Sequence, residues 1–240
     1  MVKNTITIAQ LYPKQMNVYG DTGNVITLTY RLKARGYSVN YLALDSLQSL
    51  NTQKVDILVG GGGQDSNQSL IQEDLQKYAA QLSAQCSDGL VCLMICGMYQ
   101  LFGHKFTLHD GTEIPGIGIL DLETRGLESR LIGNINIKSE WGSLVGFENH
   151  SGRTYLGSDV KPLGTVIKGA GNNGEDGTEG AIYNNVIGSY MHGPALAKNP
   201  ALADELLNRA ISRRFGSTVL EPLDDFLELQ AAALAIKRPI

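Results

Sequence analysis

The sequence predicts an α/β fold, a mostly parallel sheet flanked by helices with additional β-ribbons beside it. Three observations carry this expectation. Between residues 6 and 103, strand-like and helix-like segments alternate, which builds right-handed βαβ units. Residues 90–95 form an unbroken apolar run, as a strand covered on both faces requires. From about residue 107 to 188 the composition shifts to Gly, Asn and Thr with short apolar pieces, which suits ribbons and loops. The 240 residues, 42% of them hydrophobic, are divided into one domain over residues 1–215 and a helical tail over 216–240.

The elements follow in order. Residues 6–11 read as a first strand, and the loop after them carries Pro13, Gly20 and Gly23. A helix over 25–34 is closed by Gly36 in the position after the last turn. Residues 39–44 and 55–59 are the next strands, and the latter runs into four consecutive glycines, Gly60 to Gly63. One helix is expected over 69–85, with Leu70, Ile71, Leu75, Tyr78 and Leu82 on one face. The apolar strand then turns at Cys96-Gly97 into another helix. Ribbon strands are expected over 131–138, 144–148, 165–168 and 180–183, with 146–153 as a polar turn after a strand. A last strand over 186–191 ends at His192-Gly193-Pro194, and a helix over 200–214 buries Leu202, Leu206, Leu207 and Ile211. The Ala- and Leu-rich stretch from Glu221 is a helix that packs on the body or meets a partner.

Bulk properties narrow the function. A formal charge of -4 without a basic run argues against nucleic acid and against electrostatic attachment to a membrane. Met1-Val2-Lys3-Asn4 leads directly into a strand, with no signal-peptide pattern, and no apolar run approaches the ~18 residues of a membrane helix. Three cysteines do not make a disulfide framework, so a reducing, cytoplasmic setting is expected.

A strand, a tight turn with a cysteine at its apex and a helix make a nucleophile elbow. Cys96 would stand at the carboxyl end of a strand, where open α/β sheets bind ligands, and at a helix amino terminus, which favours a thiolate. Cys92 lies inside the strand as an inert core thiol, and Cys86 is incidental. The cysteine spacing matches no zinc pattern, and no metal site is expected. A cysteine nucleophile needs a base, and His192 ends an apolar strand on the same rim. His104 and His109 read as surface residues, and His150 as structural or substrate-contacting. Attack at an acyl carbon also needs N–H donors for the oxyanion, expected from Gly62 in the glycine run and from Gly97 after the nucleophile. Gly169-Ala170-Gly171-Asn172-Asn173-Gly174 has the spacing of a dinucleotide turn but no helix after it, and no P-loop is present.

Together these residues resemble the class I, triad-type glutamine amidotransferases, in the branch that includes cobyric acid synthase. The elbow Ile95-Cys96-Gly97-Met98-Tyr99-Gln100-Leu101, the run Gly61-Gly62-Gly63-Gln64-Asp65 and Gly188-Ser189-Tyr190-Met191-His192-Gly193-Pro194 carry the likeness. Met16 to Asn24, Gly118-Ile119-Leu120-Asp121, Gly146 to Thr154 and Gly171-Asn172-Asn173 turn it toward the glutaminase subunits that serve lipid II amidation. The resemblance spans residues 6–215. Met98 departs from the family's usual second glycine, and no acid follows His192 at the family's His-x-Glu place. The pair is therefore a dyad, or its third member is Asp21 or Glu148.

The resemblance implies a flavodoxin-like, class I glutamine amidotransferase fold. It implies hydrolysis of L-glutamine through Cys96 and His192, with the substrate α-carboxylate held by Arg130 or, second, Arg153. It implies no cofactor in this chain, with ATP and Mg on a MurT-like ligase subunit in a heterodimer. That partner would receive ammonia and amidate the D-glutamate of lipid II at the inner face of the plasma membrane. The alternatives are an amidotransferase serving another synthetase, a flavodoxin-like cysteine hydrolase acting alone on a peptide or small molecule, and a non-catalytic binding subunit.

Overall fold

A computed structural model describes residues 4–49, 55–216 and 219–238. Met1 to Lys3 and residues 217–218 and 239–240 of the expected tail lie outside the described residues. The first half runs β1 (Thr5–Leu11), α1 (Thr22–Ala34), β2 (Ser38–Leu44), β3 (Ile57–Gly60), α2 (Asp65–Lys77), α3 (Ala79–Ser87), β4 (Val91–Ile95) and α4 (Gly97–Leu101). The second half runs β5 (Lys105–Thr107), β6 (Glu113–Pro115), β7 (Leu122–Ser139), β8 (Gly142–Leu156), β9 (Gly164–Lys168), β10 (Thr178–Glu179), β11 (Ala181–Tyr183), β12 (Val186–Ser189), α5 (Pro200–Phe215) and α6 (Phe226–Lys237).

Six strands form the main sheet in the order β11-β12-β4-β3-β1-β2. All its pairings are parallel except the antiparallel edge strand β11. β3 and β4 are buried along their whole length, as their apolar sequences require. This order places β4 beside β12 and β3, so the chain segments leaving these three strands converge on one rim.

A second sheet, β10-β9-β7-β5-β6 with β8 on β7, lies beside the first. Here the ribbon is longer than expected. The strands expected over 131–138 and 144–148 are inner parts of one hairpin, β7 and β8, with a bulge between Gly126 and Leu131. The expected polar turn over 146–153 is strand throughout, with Glu148, His150 and Gly152 facing inward. The helix expected over 69–85 is two helices, broken at Tyr78 (φ -108°, ψ 8°), so that Leu75 and Leu82 are both buried on either side of the bend.

The carboxyl-terminal segment packs on the body. The buried Arg31 guanidinium bonds both Asp204 of α5 (2.6 Å) and Asp225 just before α6 (2.5 Å). Asn134 of β7 donates to the Arg238 carbonyl after the helix. No residue of α6 is itself buried, and Phe226, Leu227, Leu229 and Leu234 are exposed. Among the described residues no helix is long and apolar enough to cross a membrane.

Candidate active site

The elbow is built as its sequence suggests. β4 ends at Ile95 and α4 begins at Gly97, leaving Cys96 between them at φ 51°, ψ -106°. A non-glycine residue at positive φ is strained, by about 1–3 kcal/mol, and such strain collects at functional sites. It is held by neighbours: the Cys96 amide donates to Ser189 at the end of β12 (2.9 Å), and its carbonyl accepts from Gln100 in α4 (3.0 Å). Cys86 and Cys92 are buried thiols 3.7 Å apart, away from this turn, and burial pushes Cys92 upward in pKa.

The neighbouring strand β12 ends at Ser189, earlier than the expected 191, and His192 follows three residues later. Its backbone is pinned by the ribbon, with the His192 N–H donating to the Phe147 carbonyl (2.9 Å) and the Phe147 N–H returning a bond (3.2 Å). Asp21, fully buried, stands 3.5 Å from His192 Nδ1 through Oδ1 and accepts the Gly62 N–H through Oδ2 (2.7 Å). Burial disfavours a charged His192 ring, but Asp21 and Cys96 together outweigh it and push the pKa up to about 10. Nε2 makes no well-aligned hydrogen bond, although Cys96 is close enough to favour the protonated ring. Tyr19 covers the imidazole, with ring centroids 4.2 Å apart.

The two candidate third acids separate cleanly. Asp21 meets His192, whereas Glu148 accepts from the Ala170 (2.7 Å) and Gly171 (2.9 Å) amides and anchors that loop. The dinucleotide-like run is likewise structural: Asn172 within it accepts from the Tyr99 hydroxyl and the Gly180 amide.

The expectation for Gly62 is corrected by the same carboxylate. Its N–H is already committed to Asp21, so it is not free to meet an oxyanion. Gly63, the next residue, lines the cleft together with Cys96. The Gly97 N–H opens α4, a position to which a helix supplies no partner of its own. Gly62 matters through its size. A Cβ there would lie 3.0 Å from His192 Cε1 and 3.2 Å from Cys96 Cβ, so the three residues close around one point.

The cleft above Cys96 holds about 320 Å³ and is lined by Tyr19, Gly63, Gln68, Gln100, Arg130 and His150 among others. That is the small end of ligand sites, which span roughly 300–1,000 Å³, and suits a single amino acid. Arg130 sits in the bulge of β7, its guanidinium oriented by the Asn149 side chain (2.7 Å) and carbonyl (2.9 Å) and by the Tyr19 hydroxyl (3.2 Å). Arg153 does not reach the cleft. It is buried and bonds the Ser151 carbonyl and Ser129 across the hairpin, which corrects its expected role as a second carboxylate ligand. Sequence reasoning missed Gln68 as a cleft residue, and it quoted Gln100 only as part of the elbow motif. Gln68 donates to Gln100 (2.9 Å), which donates to Tyr190 (3.1 Å), fixing both amides beside Cys96. A polar run that opens a helix, as at Gln64 to Gln68, was the available signal.

Comparison with known proteins bears on this geometry. The CobB/CobQ-like glutamine amidotransferase domain matches residues 7–200. The chain is 41% identical over 234 residues to the lipid II isoglutaminyl synthase (glutamine-hydrolyzing) subunit GatD of Staphylococcus aureus strain N315, covering 97% of this chain and 96% of that one. It is 38% identical to the subunit of the same name from Streptococcus pneumoniae strain ATCC BAA-255 / R6, over 95% and 89% of the two chains. Among solved structures, a glutamine amidotransferase superposes with a TM-score of 0.60 at 15% identity, over 85% of this chain and 98% of that one. A chain in the structure of PurLQS from Thermotoga maritima superposes with a TM-score of 0.56 at 15% identity, over 88% of this chain and 97% of that one. At such identity these two structures speak to the fold alone.

Proposed function

Since this chain belongs to the CobB/CobQ-like glutamine amidotransferase family, we propose that it is the glutaminase half of a lipid II isoglutaminyl synthase working through Cys96 and His192. The observation that carries the reading is the alignment of Cys96, His192 and Asp21 under a cleft of amino-acid size. Asp21 holds the imidazole through Nδ1, which leaves Nε2 to serve the thiol. The Cys96 sulfur attacks the side-chain amide carbon of glutamine, and the carbonyl oxygen takes up negative charge beside the Gly63 and Gly97 amides. The proton held on His192 passes to the departing nitrogen, the C–N bond breaks, and ammonia leaves a glutamyl thioester. Water, deprotonated by His192, hydrolyses the thioester to glutamate and frees the thiolate. Arg130 takes the substrate α-carboxylate, its guanidinium already oriented by Asn149.

Ammonia released into neutral water becomes ammonium and ceases to be a nucleophile, so it is handed on inside a complex. The partner is a MurT-like ligase subunit that binds ATP and Mg and activates the D-glutamate α-carboxyl of lipid II for conversion to D-isoglutamine. The lipid substrate brings the complex to the inner membrane face. Identity of 41% and 38% over nearly the whole of two subunits so named supports this assignment. The test is glutamate release from L-glutamine by the wild type and by Cys96→Ala, with and without the co-encoded ligase subunit. Release that vanishes in Cys96→Ala and rises with the partner is expected. A folded wild type that releases no glutamate under either condition overturns the proposal.

A further inference from the structure

His150 is immobilised in β8 by everything except one atom. Nδ1 lies 2.8 Å from the Gly152 carbonyl, which can only accept, so Nδ1 carries the hydrogen and donates. The ring stacks on Tyr190 at 3.6 Å between centroids and 5° between planes. Tyr190 is in turn fixed by Thr154 and Gln100. Nε2 is then an acceptor with a free lone pair. It is buried, has no partner among the described residues, and belongs to a side chain lining the same cleft as Cys96 and Arg130. Burial, with Arg153, His192 and Arg130 nearby, pushes the pKa down to about 3, so the ring stays neutral at any physiological pH. Gln68 Oε1 is a second buried acceptor without a partner on this cleft. Buried acceptors are ordinarily satisfied, and two left open beside one oriented arginine form a pattern that a ligand completes.

The ligand must offer a negative group to Arg130 and N–H donors to acceptors a short distance away. An α-amino acid zwitterion does both. We propose that His150 Nε2 accepts a hydrogen bond from the α-ammonium of the substrate, so that His150 and Arg130 together select a free α-amino acid. This rests on the glutaminase reading and deepens it, because it assigns the recognition of the substrate's amino end. A neutral imidazole suits the task, since a protonated ring would repel an ammonium.

The test compares L-glutamine with glutaramate, the same molecule with hydrogen in place of the α-amino group, on wild type and His150→Phe. Phenylalanine keeps the stacking on Tyr190 and removes the acceptor. The expected result is a fall of roughly 10- to 100-fold in kcat/KM for glutamine, mostly in KM, with little change for glutaramate. Equal losses on both substrates, or no loss on glutamine, would overturn the proposal, since a merely structural role moves both alike. Should glutaramate turn over too slowly, competition by L-glutamate against glutarate reads the same difference without chemistry. His150→Leu, which likewise lacks an acceptor, replaces the phenylalanine variant if that one does not fold. A wild type that releases no glutamate from glutamine would refute the glutaminase premise instead, and is read separately from these ratios.

Discussion

Asp21 stands immediately before α1, where an aspartate ordinarily caps the helix, yet its side chain makes no cap bond. Asn17 takes over by accepting the Thr22 amide (2.8 Å), and Asp21 turns instead to His192 and Gly62. This explains why the sequence left Asp21 and Glu148 unresolved: the partner of Asp21 is 171 positions away, and its local context reads as an unremarkable helix start. Asp21→Asn should keep the fold and lower kcat by roughly 100-fold or more, because the imidazole loses its charged orienting group. A pH dependence also belongs to this scale. The folded chain holds a proton on His192 up to about pH 10, whereas the free side chain loses it near 6.5. Stability from this group is fully present below about pH 6.5 and is lost as pH rises through 10. Tm should therefore decline across that window in the wild type and decline less in His192→Asn. Cys96 and His192 were legible because each follows closely on a buried apolar strand. The bond from Gly62 to Asp21 was not, since four consecutive glycines look alike until one N–H meets a partner.

At the scale of elements, the rim is assembled from β3, β4 and β12, and the ribbon closes it. Glu179, the last residue of β10, accepts from the Ser189 hydroxyl and the Tyr190 amide (both 2.7 Å) and so fixes the segment that carries His192. Burial pushes its pKa up to about 7. The folded state thus holds this proton between about pH 4.5 and 7 while the unfolded state releases it, and its contribution to stability is lost as pH rises through 7. Glu179→Gln should flatten the Tm-against-pH curve over that interval. Gly62→Ala should lower kcat roughly tenfold or more with the fold intact, since the added carbon displaces His192 and Cys96 by tenths of an ångström. The parallel strands were legible because their apolar runs are continuous. β8 was not, because it follows the strand period with polar side chains inward: Glu148 and His150 are buried while Asn149 and Ser151 are only partly covered. Hydrophobic periodicity cannot register a buried face made of polar residues.

Across the whole molecule, the two sheets divide the work. The parallel sheet carries Cys96 and His192 on its rim, and the ribbon supplies Arg130 and His150 and pins His192 through Phe147. The tail is secured by charge, with Arg31 shared between Asp204 and Asp225. The sequence showed a helix there without showing whether it packs, because the salt bridge spans 194 positions. Asp225→Ala should destabilise the tail by about 1–3 kcal/mol. It should speed amide exchange over Phe226–Lys237 and leave glutamine hydrolysis by the chain unchanged.

The central claim is that Cys96, activated by His192, is the nucleophile toward glutamine. The most direct test is intact-protein and peptide mass spectrometry after exposure to a glutamine-shaped electrophile, the chloroketone bearing the glutamine α-amino and α-carboxyl groups. The account predicts one adduct, on Cys96, formed quickly in the wild type, slowly in His192→Asn and not at all in Cys96→Ala, with excess glutamine protecting. Labelling at Cys86 or Cys92 with Cys96 untouched, or labelling of Cys96 that is indifferent to glutamine, would contradict it.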